Sequence, residues 1–188
     1  MLVSGAELYH TSLTANLTLA LRNSTFTKNY ASEGGAILVD YPDGDTDEES
    51  PEGRFFIENA TVESNSAEFG GGGVYVRNGW CTIASSVFLN NDAYAAGAVL
   101  AENSGLRVKF TKFHSNSATL GGAVYATENY NGVSLENCSA SLNVAGQGGF
   151  AFCADTPCAF VDDTHLTTVV RNAAAQGAGV YVSANVQR

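Results

Sequence analysis

A pattern of Asn, Ala and Gly recurs six times along the chain, and this repeat limits the possible folds more than any other feature of the sequence. In every copy Ala follows Asn by two residues, and in five copies Gly follows Asn by six residues. An apolar residue precedes each Asn by three positions. The six repeat asparagines are Asn29, Asn65, Asn91, Asn116, Asn143 and Asn172.

The spacing of the repeat is regular except at one step, which indicates an insertion. Successive asparagines are 36, 26, 25, 27 and 29 residues apart. The longest step contains a stretch with seven acidic residues between Asp40 and Glu52 and no basic residue. We therefore predict that residues 40–53 form an acidic loop insertion. Three of its aspartates are spaced as in the first half of a calcium-binding EF-hand loop, but the glycine and the final glutamate of such a loop are missing, so we favour a solvated surface loop.

The period and the local patterning predict the fold class. A repeat of 25 to 29 residues is too short for the common helical repeats, and runs such as AILV, GVYV and AVYA are typical of short strands with one face inward. We predict an all-β chain folded as a right-handed parallel β-helix of about seven coils. Equivalent residues of successive coils then lie above one another, about 4.8 Å apart.

In this arrangement each repeat residue has a structural role. We expect the six asparagines to form a hydrogen-bonded ladder at a coil corner, where Asn tolerates left-handed backbone angles. The glycines allow a tight turn and a close approach between coils. We treat residues 1–188 as a single β-helix segment. Because neither end carries the polar cap that a solenoid needs, we expect the segment to belong to a longer solenoid or to stack end to end.

The repeat resembles that of a known family. The paired motifs FTKN with GGAI, FLNN with AGAV and FHSN with GGAV look like the FxxN and GGA(I/L/V) repeats of the chlamydial polymorphic outer-membrane proteins. The resemblance extends from about residue 26 to residue 182. It implies a β-helical passenger displayed at the cell surface, where it mediates adhesion and self-association. The second, fifth and sixth copies depart from the motif, reading GGGGVYV, GGFAF and GAGVYV.

The composition argues against several functions. A formal net charge of −10 disfavours nucleic-acid binding, and no run of 18 apolar residues predicts a membrane span. Asp162, Asp163 and His165 are the nearest approach to the acid–base groups of polysaccharide-cleaving β-helices, but no further Asp motif or placed Arg accompanies them. We interpret them as a polar turn. His114 is read as solvated, and no His/Cys cluster has metal-ligand spacing. We predict no catalytic residue, metal or cofactor.

The cysteines and glycosylation motifs are typical of an exported protein. Cys153 and Cys158 enclose the short loop ADTP, so we predict a local disulfide between them. Cys81 and Cys138 differ in their position relative to the repeat Asn, and we leave them unpaired. The chain has four Asn-x-Ser/Thr motifs, which are candidate glycosylation sites: Asn16, Asn23, Asn59 and Asn137.

These observations predict a non-catalytic structural or adhesive module at a cell surface or outside the cell. Repetitive polar faces would contact protein or glycan partners, and the segment could self-associate end to end. Two alternatives remain open at this point. One is a carbohydrate-active enzyme resembling pectate lyases and polygalacturonases, and the other is a scaffold subunit of a larger extracellular assembly.

Overall fold

A computed structural model shows a parallel β-helix, in which the chain winds through four sheets in a constant order. The structure describes residues 6–9, 18–41, 54–128, 132–161 and 167–183. Sheet I contains Thr18–Arg22 (β2), Arg54–Glu58 (β6), Trp80–Ala84 (β10), Gly105–Lys109 (β14), Val133–Glu136 (β18) and Cys158–Val161 (β22). Sheet II contains Thr25–Thr27 (β3), Thr61–Glu63 (β7), Val87–Leu89 (β11), Lys112–His114 (β15), Ser139–Ser141 (β19) and Thr168–Val170 (β23).

The other two sheets complete each turn. Sheet III contains Tyr30–Glu33 (β4), Ser66–Gly70 (β8), Asp92–Ala95 (β12), Ser117–Leu120 (β16), Val144–Gln147 (β20) and Ala173–Gln176 (β24). Sheet IV contains Ala6–Tyr9 (β1), Ile37–Asp40 (β5), Val74–Arg77 (β9), Val99–Glu102 (β13), Val124–Thr127 (β17), Ala151–Ala154 (β21) and Val180–Ser183 (β25).

The strand order confirms the predicted fold class and corrects the number of coils. Every strand pairs in parallel with the equivalent strand of the next coil, as in Phe88 beside Phe113. The described strands form six complete coils of four strands each, beginning at β2, β6, β10, β14, β18 and β22. The predicted count of about seven coils was too high, because the leading segment contributes only the single described strand β1. The right-handed winding remains a prediction, based on the usual hand of parallel crossovers.

The core is a set of stacked columns inside the coil. The central position of each sheet II strand points inward and is buried in Phe26, Val62, Phe88, Phe113 and Ala140. Sheets I and IV supply further Ile, Leu, Val and Phe side chains, whereas the inward position of sheet III is Ala in every coil. The alternation of buried and exposed residues in β6 and β10 follows from the two-residue period of a strand.

Coil 5 shows how one departure from the repeat is accommodated. Its sheet II strand carries Ala140 where earlier coils have Phe or Val, so the core there would lose volume. Phe150, in the place of the usual small residue of the Gly-Gly-Ala corner, is fully buried and fills the interior from the opposite side. Its ring centroid lies 5.7 Å from that of Phe113. The GGFAF departure is therefore a compensating exchange within a close-packed core.

Candidate functional site

The six repeat asparagines lie in one column at the corner between sheets II and III. The Nδ2 of Asn91 donates to Oδ1 of Asn116 at 3.0 Å and to the carbonyl oxygen of Val62 at 2.9 Å. The backbone N–H of Asn91 donates to the same Oδ1 at 3.0 Å. The same links join the remaining members in order, through Asn29, Asn65, Asn91, Asn116, Asn143 and Asn172. The column ties each coil to its neighbours on both sides.

The backbone geometry of this corner differs from the prediction. The left-handed residue is the one that precedes each asparagine of the column, for example Asn90 with φ 54° and Ser115 with φ 54°. Other left-handed corners occur between sheets I and II and between sheets III and IV, as at Asn59 and Gly121. The asparagine side chains of the column therefore act as cross-links between coils, and their neighbours provide the turn.

A second column of side chains was missed by the sequence reasoning. At the corner between sheets I and II, Ser86 Oγ accepts from the N–H of Ala60 at 3.1 Å and donates to the carbonyl oxygen of Ala84 at 2.7 Å. Thr111 and Thr167 occupy the same role in later coils. The signal in the sequence is a Ser, Thr, Cys or Ala five residues before each Asn of the column, which is too varied to stand out as a motif.

A cluster of charged side chains spans three coils on the outside of sheet IV. Asp40, Arg77 and Glu102 occupy equivalent positions in β5, β9 and β13, and Arg77 lies 3.3 Å from Asp40 and 3.4 Å from Glu102. The Tyr75 hydroxyl accepts from Arg77 Nη2 at 2.7 Å and contacts Glu102. Burial first, and then the hydrogen bond to Glu102, raises the pKa of Tyr75 above its ordinary value. Arg77 also lies 3.2 Å from Glu33, so a single cation faces several carboxylates and the cluster keeps a net negative charge while it links the three coils.

The cysteines separate into one disulfide and two buried thiols. Cys153 and Cys158 form a disulfide with a Cα–Cα distance of 6.5 Å, which joins β21, the last strand of the fifth coil, to β22, the first strand of the sixth. Cys81 and Cys138 are buried and lie outside this disulfide, and the Cys138 thiol is 3.4 Å from the carbonyl oxygen of Glu136. Burial raises the pKa of the Cys81 thiol far above its ordinary value, so this group is held in its unreactive, protonated form.

The other candidate residues fall in three settings. Asn23 and Asn59 are exposed and adjacent at the corner between sheets I and II, and Asn137 is half-buried at the same corner. His114, expected to be solvated, is half-buried with its Nδ1 2.8 Å from Ser141 Oγ. Outside the described residues lie Asn16, Asp162, Asp163, His165 and the acidic stretch from residue 42 to residue 53.

The outer face of sheet III carries an exposed aromatic patch. The patch consists of Tyr30, Phe69 and Tyr94, whose side chains are 68%, 62% and 60% exposed. These residues belong to neighbouring strands β4, β8 and β12, and a bulge in β8 inserts one extra residue at this point. Tyr30 donates a hydrogen bond to Glu68, and this bond raises the pKa of Tyr30. Three large exposed rings on one face make this patch a candidate contact surface.

In the described ranges, no group of three or more His, Cys, Asp or Glu side chains is placed to hold a metal ion. Within the same part of the chain, no helix is long and apolar enough to cross a membrane.

Comparison with known proteins identifies the repeat. The chain is, by its fold, a parallel β-helix built from stacked copies of one repeat. The family model of the Chlamydia polymorphic membrane protein repeat matches residues 23–40, which extend from the corner after β2 to the end of β5. The match and the fold together support a repeat β-helix that is similar to those of the polymorphic membrane proteins. No curated protein and no solved structure matches the chain.

Proposed function

We propose that this chain is an adhesive module of a cell-surface protein, which binds protein or glycan partners through the outer faces of its coils. The repeat match and the parallel β-helix fit a surface-exposed module of this kind. The observation that carries the adhesive role is the aromatic patch on sheet III, because several exposed aromatic rings on one face are typical of protein contact surfaces.

The surroundings of the patch indicate the chemistry of the partner. Glu68 is exposed within the same bulge, and Asp92 is exposed at the start of β12. A partner surface with an apolar centre and basic side chains at its rim would complement both the rings and the carboxylates. The rigid coil holds these groups in place before contact, which lowers the entropic cost of binding.

A bead assay tests this proposal. Beads coated with the chain are counted after washing over cultured epithelial cells and over immobilised matrix proteins. We expect the double variant Phe69→Ser/Tyr94→Ser to reduce retention at least by about half, because aromatic residues dominate the energy of most protein contacts. The matched control, Phe110→Ser/Val170→Ser, removes two exposed apolar side chains that lie outside the patch. Equal retention of beads that carry either variant would contradict a role of the patch in adhesion.

The proposal includes the absence of catalysis by this chain. The alternative, a polysaccharide-cleaving enzyme, would need the acid–base group at Asp162, Asp163 and His165. Incubation with polygalacturonate and related polymers, followed by detection of new reducing or unsaturated ends, distinguishes the two. Turnover that disappears in Asp162→Asn would replace the adhesive proposal by the enzymatic one.

A further inference from the structure

The outer face of sheet I concentrates positive charge on an acidic protein. The chain has nine Lys and Arg residues against nineteen Asp and Glu. Four of the nine stand on sheet I strands: Arg22, Arg54, Arg107 and Lys109. Arg22 and Lys109 are paired with Glu58 and Glu136, at 2.9 and 2.7 Å. No carboxylate among the described residues pairs with Arg54 or Arg107, and both are exposed.

The single tryptophan of the chain lies between these two arginines. In the sheet register, Arg54, Trp80 and Gly105 are direct neighbours on successive strands. A Cβ atom added to Gly105 would lie 2.5 Å from two carbon atoms of the Trp80 indole. The indole therefore rests flat on the backbone of the next coil, and only glycine fits beneath it. This close contact fixes the ring in one orientation on the surface.

Two adjoining depressions flank the indole. One has a volume of about 450 Å³ and is lined by Arg54, Phe56, Trp80, Thr82, Arg107 and Lys109. The other has a volume of about 380 Å³ and shares Trp80 and Arg107 with the first. Together they form a groove along the axis of the coil, with an aromatic wall, a hydroxyl group and cations along its length. Its size is in the range of small-molecule sites.

We propose that this groove binds an acidic saccharide, a chain of sugar rings bearing carboxylate or sulfate groups. The indole offers a flat apolar surface for the C–H face of a sugar ring, and Thr82 offers a hydrogen-bonding hydroxyl. Arg54 and Arg107 present planar guanidinium groups that match carboxylate or sulfate in a bidentate manner. The two arginines lie two strands apart and are offset by two residues along the strand, so their Cα atoms are about 12 Å apart, and their long side chains can reach anionic groups on linked sugar rings.

The charge pattern favours this ligand over the other anionic polymers. A nucleic acid would bring a dense row of phosphates against a protein with a net charge of −10, which opposes binding beyond this one face. An acidic peptide would satisfy the arginines, but its Asp and Glu side chains offer no ring with a C–H face to stack on Trp80. The saccharide-binding proposal depends on the proposed surface role only for where in biology the ligand would be met. Binding in solution requires no adhesion, so the two proposals fail separately.

Fluorescence titration tests the groove directly, because Trp80 is the only tryptophan. The intact chain is titrated with oligogalacturonate, with heparin-derived oligosaccharide, with neutral maltohexaose and with hexaglutamate. We expect a saturable change in Trp80 emission with one or both acidic saccharides, and no change with maltohexaose. Binding should weaken as the salt concentration rises. Response to only one acidic saccharide identifies the anionic group, carboxylate or sulfate.

Variants distinguish a built site from general charge attraction. Arg54→Ala and Arg107→Ala should each weaken binding by about tenfold or more, since each removes a charge-assisted contact. The matched control Lys112→Ala removes one exposed positive charge from sheet II and should leave the affinity unchanged. Melting curves verify that all three variants remain folded. No response to either acidic saccharide, equal loss in Lys112→Ala, or equally tight binding of maltohexaose or hexaglutamate would overturn the proposal.

Discussion

At the residue scale, the asparagines at the corner between sheets II and III carry the strongest specific requirement in the molecule. Asn91 and Asn116 are fully buried, and each side-chain amide uses both its donors and its oxygen within the column. A buried amide that loses one partner costs about 1–3 kcal/mol. The corner therefore requires a side chain that has both a hydrogen-bond donor and an acceptor.

The substitution Asn91→Asp tests this requirement. The amide donor is replaced by a carboxylate oxygen that faces the carbonyl oxygen of Val62 and Oδ1 of Asn116. We expect the free energy of unfolding to fall by at least about 3 kcal/mol, because a buried charge is placed against two acceptors. Urea denaturation measures the change. The control is Asn90→Asp, the same change at the exposed neighbouring residue, which should cost less than about 1 kcal/mol.

Tyr41 provides a prediction for high pH. Burial, with a smaller contribution from Cys81, raises the pKa of Tyr41 to about 12. The folded state then retains its proton where the unfolded state, with a pKa of about 10, has lost it. The contribution of Tyr41 to the free energy of unfolding is therefore fully present below pH 10, and it is lost as the pH rises towards 12. Urea denaturation at pH 9, 10 and 11 should show a smaller decline in Tyr41→Phe than in the wild type. Tyr94→Phe, at an exposed position, should keep the wild-type slope.

Sequence alone predicted some of these residue roles and not others. Fixed spacing was enough to expect that Asn91 and Asn116 would stack, because equivalent positions of a repeat must coincide when coils pair in register. Spacing does not reveal backbone angles, so the left-handed conformation was assigned to Asn91 and belongs to Asn90. The contact between Trp80 and Gly105 was also invisible, since it joins positions that the repeat motif leaves variable.

At the element scale, the strands of sheet II contribute one inward ring or aliphatic side chain per coil. The Phe88 and Phe113 rings are stacked with centroids 5.3 Å apart, and Phe150 continues the series from the opposite corner. The fixed spacing of the repeat predicted that equivalent residues such as Phe88 and Phe113 would lie above one another. It did not predict that Phe150 would replace the volume missing at Ala140, because that exchange depends on two segments facing each other across the interior.

The variant Phe113→Ala measures the strength of this column. It leaves a cavity between Phe88 and Phe150, and we expect a loss of about 3–5 kcal/mol in the free energy of unfolding. The matched control is Phe110→Ala, three residues earlier, where the ring is 54% exposed. Thermal denaturation of both variants provides the measurement. A similar loss at both positions would contradict the assignment of Phe113 to the core.

At the scale of the whole molecule, stability is distributed along one dimension. Each strand pairs only with the equivalent strands of the coils immediately before and after it. The family resemblance and the fold class followed from the sequence because they depend on period and register. The identity of the contact surfaces did not, because the exposed rings of sheet III and the cations of sheet I lie outside the repeated positions.

Hydrogen exchange tests whether each coil is stabilised only by the coils next to it. In Phe113→Ala, amide protection should fall most in β10 to β21, the coils next to the cavity, and least in β3 and β5. Mass spectrometry of peptic fragments resolves these segments. An equal loss of protection in every strand would show that all the coils open together.

Within the asparagine column, each Nδ2 donates to Oδ1 of the following asparagine, in one sense from Asn29 towards Asn172. The second N–H of the same amide reaches back to a carbonyl oxygen of the preceding coil, as from Asn91 to Val62. The two faces of a coil are therefore unlike at this corner, because the asparagine side chain meets the next coil through an N–H group alone and the preceding coil through its oxygen and its other N–H. A further coil can add only head to tail, since the reverse arrangement opposes donor to donor or acceptor to acceptor. Any filament built by stacking such coils would consequently have a direction, with two ends that grow and bind differently.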